Sequence, residues 1–247
     1  MQNFTISIAG INVGIQYRYD LQRRFFYSHL TRATPDFTVS ATDEELERER
    51  QLTGQDDLAV ERICIYRRIA QRLPEYNAFV FHAAILCIDG KAFAFTAASG
   101  TGKTTHMQLL LSRFGERACV LNGDKPVLRL SGDGVLACGT PWKGKEGLGS
   151  RLIAPLCGIC FVERALENQI VSLSGSDAAA RFLKQIYLPQ EVQTLRKTLA
   201  LADRVLSTVP LYCLYCNTDP SAAQLSGSVL LQGAERMQRN VAPTPAI

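Results

Sequence analysis

Residues 97–105 read Ala-Ala-Ser-Gly-Thr-Gly-Lys-Thr-Thr, and this stretch decides the fold that the sequence predicts. It matches the G-x-x-x-x-G-K-[ST] pattern of phosphate-binding loops, with Ala97 at the first glycine position. An apolar strand over residues 92–96 leads into it, and a helix leads out of it and stops at Gly115. This order of strand, loop and helix favours a phosphate-binding loop over the alternative, a glycine-rich turn with a surface lysine.

The loop predicts a nucleotide site by simple chemistry. Backbone N–H groups and the start of the helix attract a phosphate, and glycines let the backbone approach it closely. Lys103 would reach the β- and γ-phosphate oxygens, and the Thr104 hydroxyl would be a ligand of Mg²⁺, which prefers hard oxygen donors. The predicted nucleotide-binding residues are Ala98, Ser99, Gly100, Thr101, Gly102, Lys103, Thr104 and Thr105.

Composition narrows the class of protein. The chain has 247 residues, 47% of them hydrophobic and 20% charged, with a net charge of +4. We expect no nucleic-acid partner, because there is no basic stripe with interleaved aromatics. No apolar run is long enough to cross a bilayer, and the first residues do not read as a signal peptide, so we expect no membrane partner and a cytoplasmic location.

Eight cysteines fit that compartment as free thiols. Cys157/Cys160 and Cys213/Cys216 have CxxC spacing, which allows a four-cysteine zinc site. Both pairs lie in apolar runs that read as strands, where residues three apart point to opposite faces. The sequence therefore favours buried cysteines over a metal site.

The pattern of apolar residues divides the chain into three parts. Residues 1–75 predict a hairpin over 4–17, a polar loop with a short helix at 43–50, and a helix over 56–73. Residues 76–234 predict the phosphate-binding domain, and 235–247 a flexible tail. The turn Asp89-Gly90 indicates that the strand 91–96 pairs antiparallel with a strand over 78–88. Further on we expect a hairpin over 127–138, strands at 156–162, 169–173 and 211–216, helices at 177–187 and 191–208, and a last helix after Pro220.

Two side chains are candidates for chemistry beside the loop. Asp124 ends the strand that follows the loop helix, where a carboxylate can bind a metal or accept a proton; the alternative is an ordinary turn aspartate. His82 is predicted in the middle of the strand 78–88, either at the phosphoryl group or as a satisfied core histidine. His106, in the first turn of the loop helix, is expected on the helix surface.

The glycine-rich segment 139–149 is a candidate substrate loop. Its Lys143, Lys145 and Glu146 could close over a transferring phosphoryl group, with Arg151 as a further cation; the alternative is a long surface loop. The lysines and Arg151 are the predicted substrate-binding residues.

Four strings carry a resemblance to a known family: Phe-His-Ala at 81–83, residues 95–106, Asn-Gly-Asp-Lys-Pro at 122–126, and Gly-Thr-Pro-Trp at 139–142. They resemble the HPr kinase/phosphorylase catalytic domain, whose fold is shared with phosphoenolpyruvate carboxykinase. The chain is more closely similar to HPr-kinase-related proteins of bacterial peptide-modification gene clusters, some of which resemble serine kinases of precursor peptides. The resemblance covers roughly residues 76–223.

The resemblance implies an α/β fold with a P-loop and a mixed sheet, extended at its N-terminus by a small α+β part, and the possibility of a homo-oligomer. It implies that Lys103 binds phosphate, that Asp124 accepts the hydroxyl proton, and that His82 lies at the transfer site. Metal ligands would be Thr104, Asp124 and Glu146. The chain departs from the family at Gly123, where a second aspartate is common.

The sequence thus predicts an ATP- and Mg²⁺-dependent kinase of a hydroxyl, with serine of a peptide or protein as the favoured acceptor. The alternative is a non-catalytic nucleotide-binding partner in a peptide-modification complex, which the glycine at 123 motivates. A GTPase is disfavoured because the guanine motif Asn-Lys-x-Asp is missing. A carboxykinase is disfavoured because that family is much longer.

Overall fold

A computed structural model describes residues 2–97, 101–132 and 134–241, and the strands in this part of the chain form two sheets. The first sheet contains β1 (Gln2–Ile8), β2 (Ile11–Tyr17), β3 (Leu30–Thr31) and β4 (Phe37–Val39), in the spatial order β3-β1-β2-β4. The predicted hairpin is present as β1 and β2, which pair antiparallel. The strand β4 lies in the predicted loop, because Phe37 and Val39 are buried and pair beside β2.

The second sheet is mixed, as the sequence predicts. Its strands are β5 (Ala78–Val80), β6 (Ala84–Ile88), β7 (Lys91–Thr96), β8 (Ala118–Asn122), β9 (Val127–Ser131), β10 (Gly134–Cys138), β11 (Ile153–Arg164), β12 (Gln169–Leu173) and β13 (Leu211–Cys216). The order is β5-β9-β10-β11-β7-β6-β8, with β13 paired to β11 and β12 to β13. The strand before the loop, β7, is antiparallel to β6 and parallel to β11. The fold class is therefore mixed α/β.

The structure corrects the position of His82, which is not in the middle of a strand. The predicted strand 78–88 is split, because β5 pairs with β9 whereas β6 pairs with β7 and β8. Between them, the N–H groups of Phe81, His82 and Ala83 donate to the carbonyls of Pro126, Gln185 and Asp124. His82 therefore lies in a short crossing segment that is tied to two other parts of the chain, the turn at 124–126 and the residues after α5.

Seven α-helices lie in the described residues: α1 (Gln22–Phe25), α2 (Asp43–Thr53), α3 (Asp57–Arg72), α4 (Lys103–Phe114), α5 (Gly175–Leu183), α6 (Val192–Thr208) and α7 (Pro220–Val241). A capping box between Thr42 and Glu45 starts α2, and the Asp56 carboxylate caps α3. The helix α7 runs through Val241, beyond the expected loss of periodicity at 235. Among the described helices, none has the length and apolar character needed to cross a membrane.

Two helices bury faces that are shifted from the ones their apolar spacing predicts. The predicted faces are Ala59, Ile63, Tyr66, Ala70 and Leu73 in α3 and Val192, Leu195, Leu199, Ala202 and Leu206 in α6. In α6, Val192 and Leu199 are 57% and 41% exposed, whereas Thr198, Ala202 and Val205 are buried. The apolar residues of α6 surround more than half of the helix, so its periodicity fits more than one stripe, and packing against the sheet selects one of them. In α3 the buried stripe likewise includes Val60 and Cys64 rather than their predicted neighbours Ala59 and Ile63.

Three apolar clusters hold the layers together. One cluster lies on each face of the second sheet, and α4 and α7 cover one of these faces. The third joins the first sheet and α3 to Ala78 and Val127 of the second sheet and to Trp142 of the glycine-rich segment. The N-terminal part thus shares a core with the part that carries the loop, and the division at residues 75 and 235 stays a prediction.

The cysteine pairs differ in orientation. Cys213 and Cys216 face opposite sides of β13, as the strand geometry predicts. Cys157 and Cys160 instead share one cluster, because a β-bulge at 156–158 shifts the register of β11. Burial raises the pKa of these four thiols. No group of three metal-ligating His, Cys, Asp or Glu side chains occurs in the described part of the chain.

Candidate active site

The described part of the loop that the sequence predicts to bind phosphate runs from β7 into α4. Gly102 has a φ of 115°, which favours glycine, and it precedes Lys103, the first residue of α4. The Lys103 Nζ atom donates a hydrogen bond to the Ala97 carbonyl over 2.8 Å, so the ammonium is held where the loop begins. The predicted ligands Ala98, Ser99 and Gly100 lie outside the described residues.

A cavity of about 500 Å³ brings many of the candidate residues together. Residues 101–105 at the start of α4 form one wall, the turn after β8 another, and the glycine-rich loop a third. It is lined by His82, Thr101, Gly102, Lys103, Thr104, Thr105, Gly123, Asp124, Gly144, Lys145, Glu146 and Arg164. The cavity therefore joins the loop lysine and threonines to two carboxylates and a histidine.

His82, Asp124 and Lys125 form a polar cluster, and His82 and Asp124 line this cavity. The His82 Nε2 atom lies 3.3 Å from Asp124 Oδ1, and the Lys125 Nζ atom lies 3.5 Å from Asp124 Oδ2. The Asp124 side chain is 27% exposed, so it reaches the cavity while remaining largely enclosed. Lys125 was not among the predicted site residues, although its position directly after Asp124 in a strand-ending turn was a usable signal.

The electrostatics of the cluster keep Asp124 ionised. Burial pushes the pKa of the Asp124 carboxyl upward, but the hydrogen bond with His82 and the charge of Lys125 outweigh burial and hold this pKa below its usual value. Burial lowers the pKa of Lys103, and the negative charge of Asp124 opposes that effect. The carboxylate thus stabilises the charged form of the ammonium.

A buried asparagine sets the backbone of the turn that carries Asp124. The Asn122 Oδ1 atom accepts hydrogen bonds from the backbone N–H groups of Asp124 and Lys125, each with a nitrogen–oxygen distance of 2.9 Å. The Asn122 Nδ2 atom donates to the carbonyl and hydroxyl oxygens of Thr140, and the Thr140 hydroxyl donates to the Lys125 carbonyl over 2.7 Å. Both side chains are fully buried, so this network fixes where the carboxylate begins. The sequence analysis assigned no role to Asn122 or Thr140.

The glycine-rich loop folds directly onto Gly123. The Gly123 N–H donates to the Leu148 carbonyl over 3.0 Å. A Cβ atom at position 123 would lie 2.8 Å from the Lys143 carbonyl oxygen and 3.2 Å from that of Leu148. The space that a side chain at position 123 would enter is therefore filled by the backbone of residues 143–148. Backbone carbonyl groups of this loop occupy the place where a second carboxylate would begin.

The charged residues of this loop separate into two groups. Lys145 and Glu146 line the cavity beside Thr104 and Asp124. Lys143 and Arg151 are not among the described residues that line it, and both lie near His29 instead, where their charges help to lower its pKa. The structure thus brings only part of the predicted substrate set to the cavity.

The N-terminal part of the chain also reaches the site through Tyr66 of α3. Its ring centroid lies 5.1 Å from that of Trp142 and 5.8 Å from the Lys125 Nζ atom. Burial, followed by the negative charge of Asp124, raises the pKa of the Tyr66 hydroxyl. Apolar spacing predicts Tyr66 on the buried face of α3, but nothing in the sequence indicates that it approaches Asp124.

Two further cavities adjoin the loop, and Thr101 and Arg164 line both. The Arg164 Nε atom donates to the Thr101 carbonyl over 3.1 Å. One cavity, of about 330 Å³, is bordered by Thr105, Val162 and Ala165. The other, of about 460 Å³, lies between the ends of β7 and β11 and the last turn of α5. Arg164 had no role in the sequence analysis, because only strand pairing brings it to the loop.

His106 is not on the helix surface as expected. It is 2% exposed, packs against the Phe95 ring at 5.4 Å, and its Nε2 atom lies 3.0 Å from the Ser226 Oγ atom. Burial lowers its pKa to about 4. His106 is buried because α7 covers the face of α4 that carries it.

Comparisons with known proteins found little. No family model matches the chain, and no curated protein matches it. Among solved structures, it is similar to the structure of the HPr(Ser) kinase/phosphatase from Coxiella burnetii, with a TM-score of 0.39 and 10% sequence identity. That likeness covers 65% of this chain and 93% of the other. It is a distant likeness from which no activity follows.

Proposed function

We propose that this protein is an ATP- and Mg²⁺-dependent kinase of the HPr kinase-like type, which transfers the γ-phosphate to a hydroxyl group, with serine of a peptide or protein as acceptor. One observation carries the proposal: a single cavity is lined by the loop lysine and threonine and by Asp124, which is in contact with His82. Phosphoryl transfer needs mainly positioning and charge stabilisation, and this cavity gathers the groups for both.

The chain's own residues supply the electrostatics. The Lys103 ammonium, now hydrogen-bonded to Ala97, is a donor that phosphate oxygens would share or take over. The N-terminus of α4 adds backbone N–H groups that point to the same side as the loop. The triphosphate would therefore lie along Lys103, Thr104 and Thr105, with its last phosphate towards Asp124.

Asp124 is assigned to the acceptor hydroxyl. Its pKa is held low, so it is ionised at neutral pH and can accept a hydrogen bond from a serine hydroxyl. A carboxylate with a low pKa is a weak base, and this suffices where the transition state is loose and the proton leaves late. His82, with Nε2 3.3 Å from Asp124 Oδ1, orients the carboxylate.

The donors at the cavity fit Mg²⁺. The Thr104 hydroxyl and the Asp124 and Glu146 carboxylates are hard oxygen ligands that line the same cavity, and Mg²⁺ in such sites uses few protein ligands together with phosphates and water. When bound, Mg²⁺ neutralises charge on the phosphate oxygens.

All eight cysteines are free thiols, which fits our placement of the protein in the cytoplasm.

A second candidate is a non-catalytic nucleotide-binding partner in a peptide-modification complex. The observation that favours it is the filled space at Gly123, which leaves one carboxylate in this turn instead of two. Lys103 would still bind phosphate in that case, so nucleotide binding does not separate the two candidates. Transfer does.

The experiment uses the full chain with γ-labelled ATP, Mg²⁺ and an array of serine-containing peptides. Calorimetric titration of the same preparation with Mg-ATP measures binding separately. The kinase predicts both binding and labelled phosphoserine, with no label when EDTA is added. Binding without label on any peptide favours the non-catalytic candidate, and the absence of binding by folded protein refutes both.

A further inference from the structure

The 460 Å³ cavity beside the loop, which we call the second cavity, is distinct from the cavity that contains Asp124. Among the described residues, the two cavities share Thr101 and Arg164 as lining residues. Two of its lining residues hold the backbone of His82. The Gln185 carbonyl accepts the His82 N–H over 2.7 Å, and the Thr96 hydroxyl donates to the His82 carbonyl over 3.0 Å. A group bound in this second cavity would therefore lie next to the segment that presents His82 to Asp124.

The charge of the second cavity is positive. Arg164, Arg181 and Lys184 line it, and Glu163 is the one carboxylate among its described lining residues. Glu163 and Asp177 both pair with Arg181, so this guanidinium is held in place between two carboxylates whose summed charge exceeds its own by one unit. Hydrogen bonds to these carboxylates raise the pKa of Arg181, which stays charged at every physiological pH.

Lys184 is the third cationic side chain of the second cavity. It is exposed at the end of α5 and makes no ion pair or hydrogen bond with any residue in the described part of the chain. Three cationic side chains face two carboxylates, which leaves about one unit of positive charge to balance. A single carboxylate matches that charge, whereas a phosphate group would bring nearly two negative charges.

We propose that the second cavity binds a carboxylate of the acceptor, so that the substrate class is serine peptides with an acidic residue near the target hydroxyl. The proposal rests on the proposed kinase function and names its acceptor. Lys184 and Arg164 would attract the carboxylate, and the His82 segment between the two cavities would set the distance from this anchor to the serine. Anchoring beside the reacting centre orients the hydroxyl and lowers the entropy cost of transfer.

The test uses fluorescent peptides with a central serine and amidated ends, in matched pairs that differ by Asp against Asn or Glu against Gln near the serine. Binding is measured by anisotropy with Mg²⁺ and a non-hydrolysable ATP analogue, and transfer is measured with labelled ATP. Versions with a free carboxyl end distinguish a side-chain carboxylate from a terminal one. The variants are Lys184→Gln and, as the matched control, Lys197→Gln, which removes an exposed lysine from α6.

Because a charge-assisted contact contributes roughly 1–2 kcal/mol, we expect the wild type to bind the acidic peptides about five- to thirtyfold more tightly than their amide counterparts. Lys184→Gln should remove most of that preference while leaving Mg-ATP affinity and the weaker binding of the amide peptides within about twofold, and Lys197→Gln should leave the preference intact. Equal binding of acidic and amide peptides, or equal effects of the two variants, overturns the acceptor assignment. Acidic preference without transfer refutes the kinase alone, whereas transfer without acidic preference refutes the cavity alone.

Discussion

The Oδ1 atom of Asn122 accepts a hydrogen bond from the backbone N–H of Asp124 over 2.9 Å. Asn122 is fully buried at the end of β8, and Asp124 projects from the same turn into the cavity. The position of the carboxylate is therefore fixed by a side chain that does not line the cavity. Asn122 acts as a positioning residue for Asp124.

We predict that Asn122→Ala lowers the free energy of unfolding by about 1–3 kcal/mol, because the N–H of Asp124 and the Thr140 hydroxyl lose a buried partner. Phosphoryl transfer should fall more than the affinity for Mg-ATP. Urea unfolding, kcat and calorimetric titration measure these effects. Asn168→Ala is the control, because the Asn168 side chain also braces a turn but is only partly buried and is not among the described residues that line the Asp124 cavity. Full kcat in Asn122→Ala contradicts the positioning role.

Lys103→Ala should abolish measurable transfer, with a loss of at least about 10²-fold, because removing one donor to a developing anion costs that much. The fold should survive, since the Lys103 ammonium makes one backbone hydrogen bond, to Ala97, in the described structure. Circular dichroism checks the fold and labelled ATP checks transfer. Lys91→Ala, at the far end of β7, is the matched control and should keep activity. Retained transfer in Lys103→Ala would refute the assignment of the loop.

Asp124→Asn should keep binding of Mg-ATP within about tenfold and reduce kcat by about 10²–10⁴-fold, because the amide can still hydrogen-bond His82 but cannot accept the proton. Steady-state kinetics on the best peptide of the array, together with titration of the nucleotide, separates the two effects. If turnover is unchanged, the proton acceptor is another residue.

Gly123→Ala should destabilise the protein by about 1–3 kcal/mol, because the new Cβ atom would meet the Lys143 carbonyl oxygen at 2.8 Å and push the loop away. Gly134→Ala is the control, since the nearest atom to a Cβ at 134 is 3.9 Å away. Thermal unfolding of both variants compares them. Equal melting temperatures for the two variants would mean that the loop does not press on Gly123.

We predict that the free energy of unfolding decreases in acid, because protonation of His106 favours the unfolded chain. Its pKa is about 4 in the folded protein and 6.5 when unperturbed, so between these values the unfolded chain binds more protons and stability declines as the pH falls from about 6.5 to about 4. The difference corresponds to at most about 3 kcal/mol. His106→Gln should lose less stability than the wild type between pH 7 and pH 4.5 in urea titrations. His29 is unchanged in that variant and, with its own pKa lowered to about 4 by burial, accounts for a remaining decline. Identical pH dependence in the two proteins would contradict the assignment.

Local sequence patterns predicted elements well wherever the signal lies within a few residues. The antiparallel turn at Asp89 and Gly90, the start of α4 at Lys103 and the strand that precedes Asp124 follow from turn chemistry, glycine placement and apolar alternation. The strand 78–88 was predicted whole and is broken at His82, because distant carbonyls rather than local propensity bind its N–H groups.

The sequence by itself determined the glycine-rich loop between a strand and a helix, the mixed α/β class and the closeness of Lys103 and Asp124, because short-range periodicity and the order of strand and helix encode them. Only the tertiary structure decided which face of α6 is buried, that Tyr66 and Arg164 approach the site, and that the glycine-rich loop fills the space at Gly123. Those contacts join residues far apart in the chain. Their energies depend on how whole layers pack, and that information is not present in any local window of sequence.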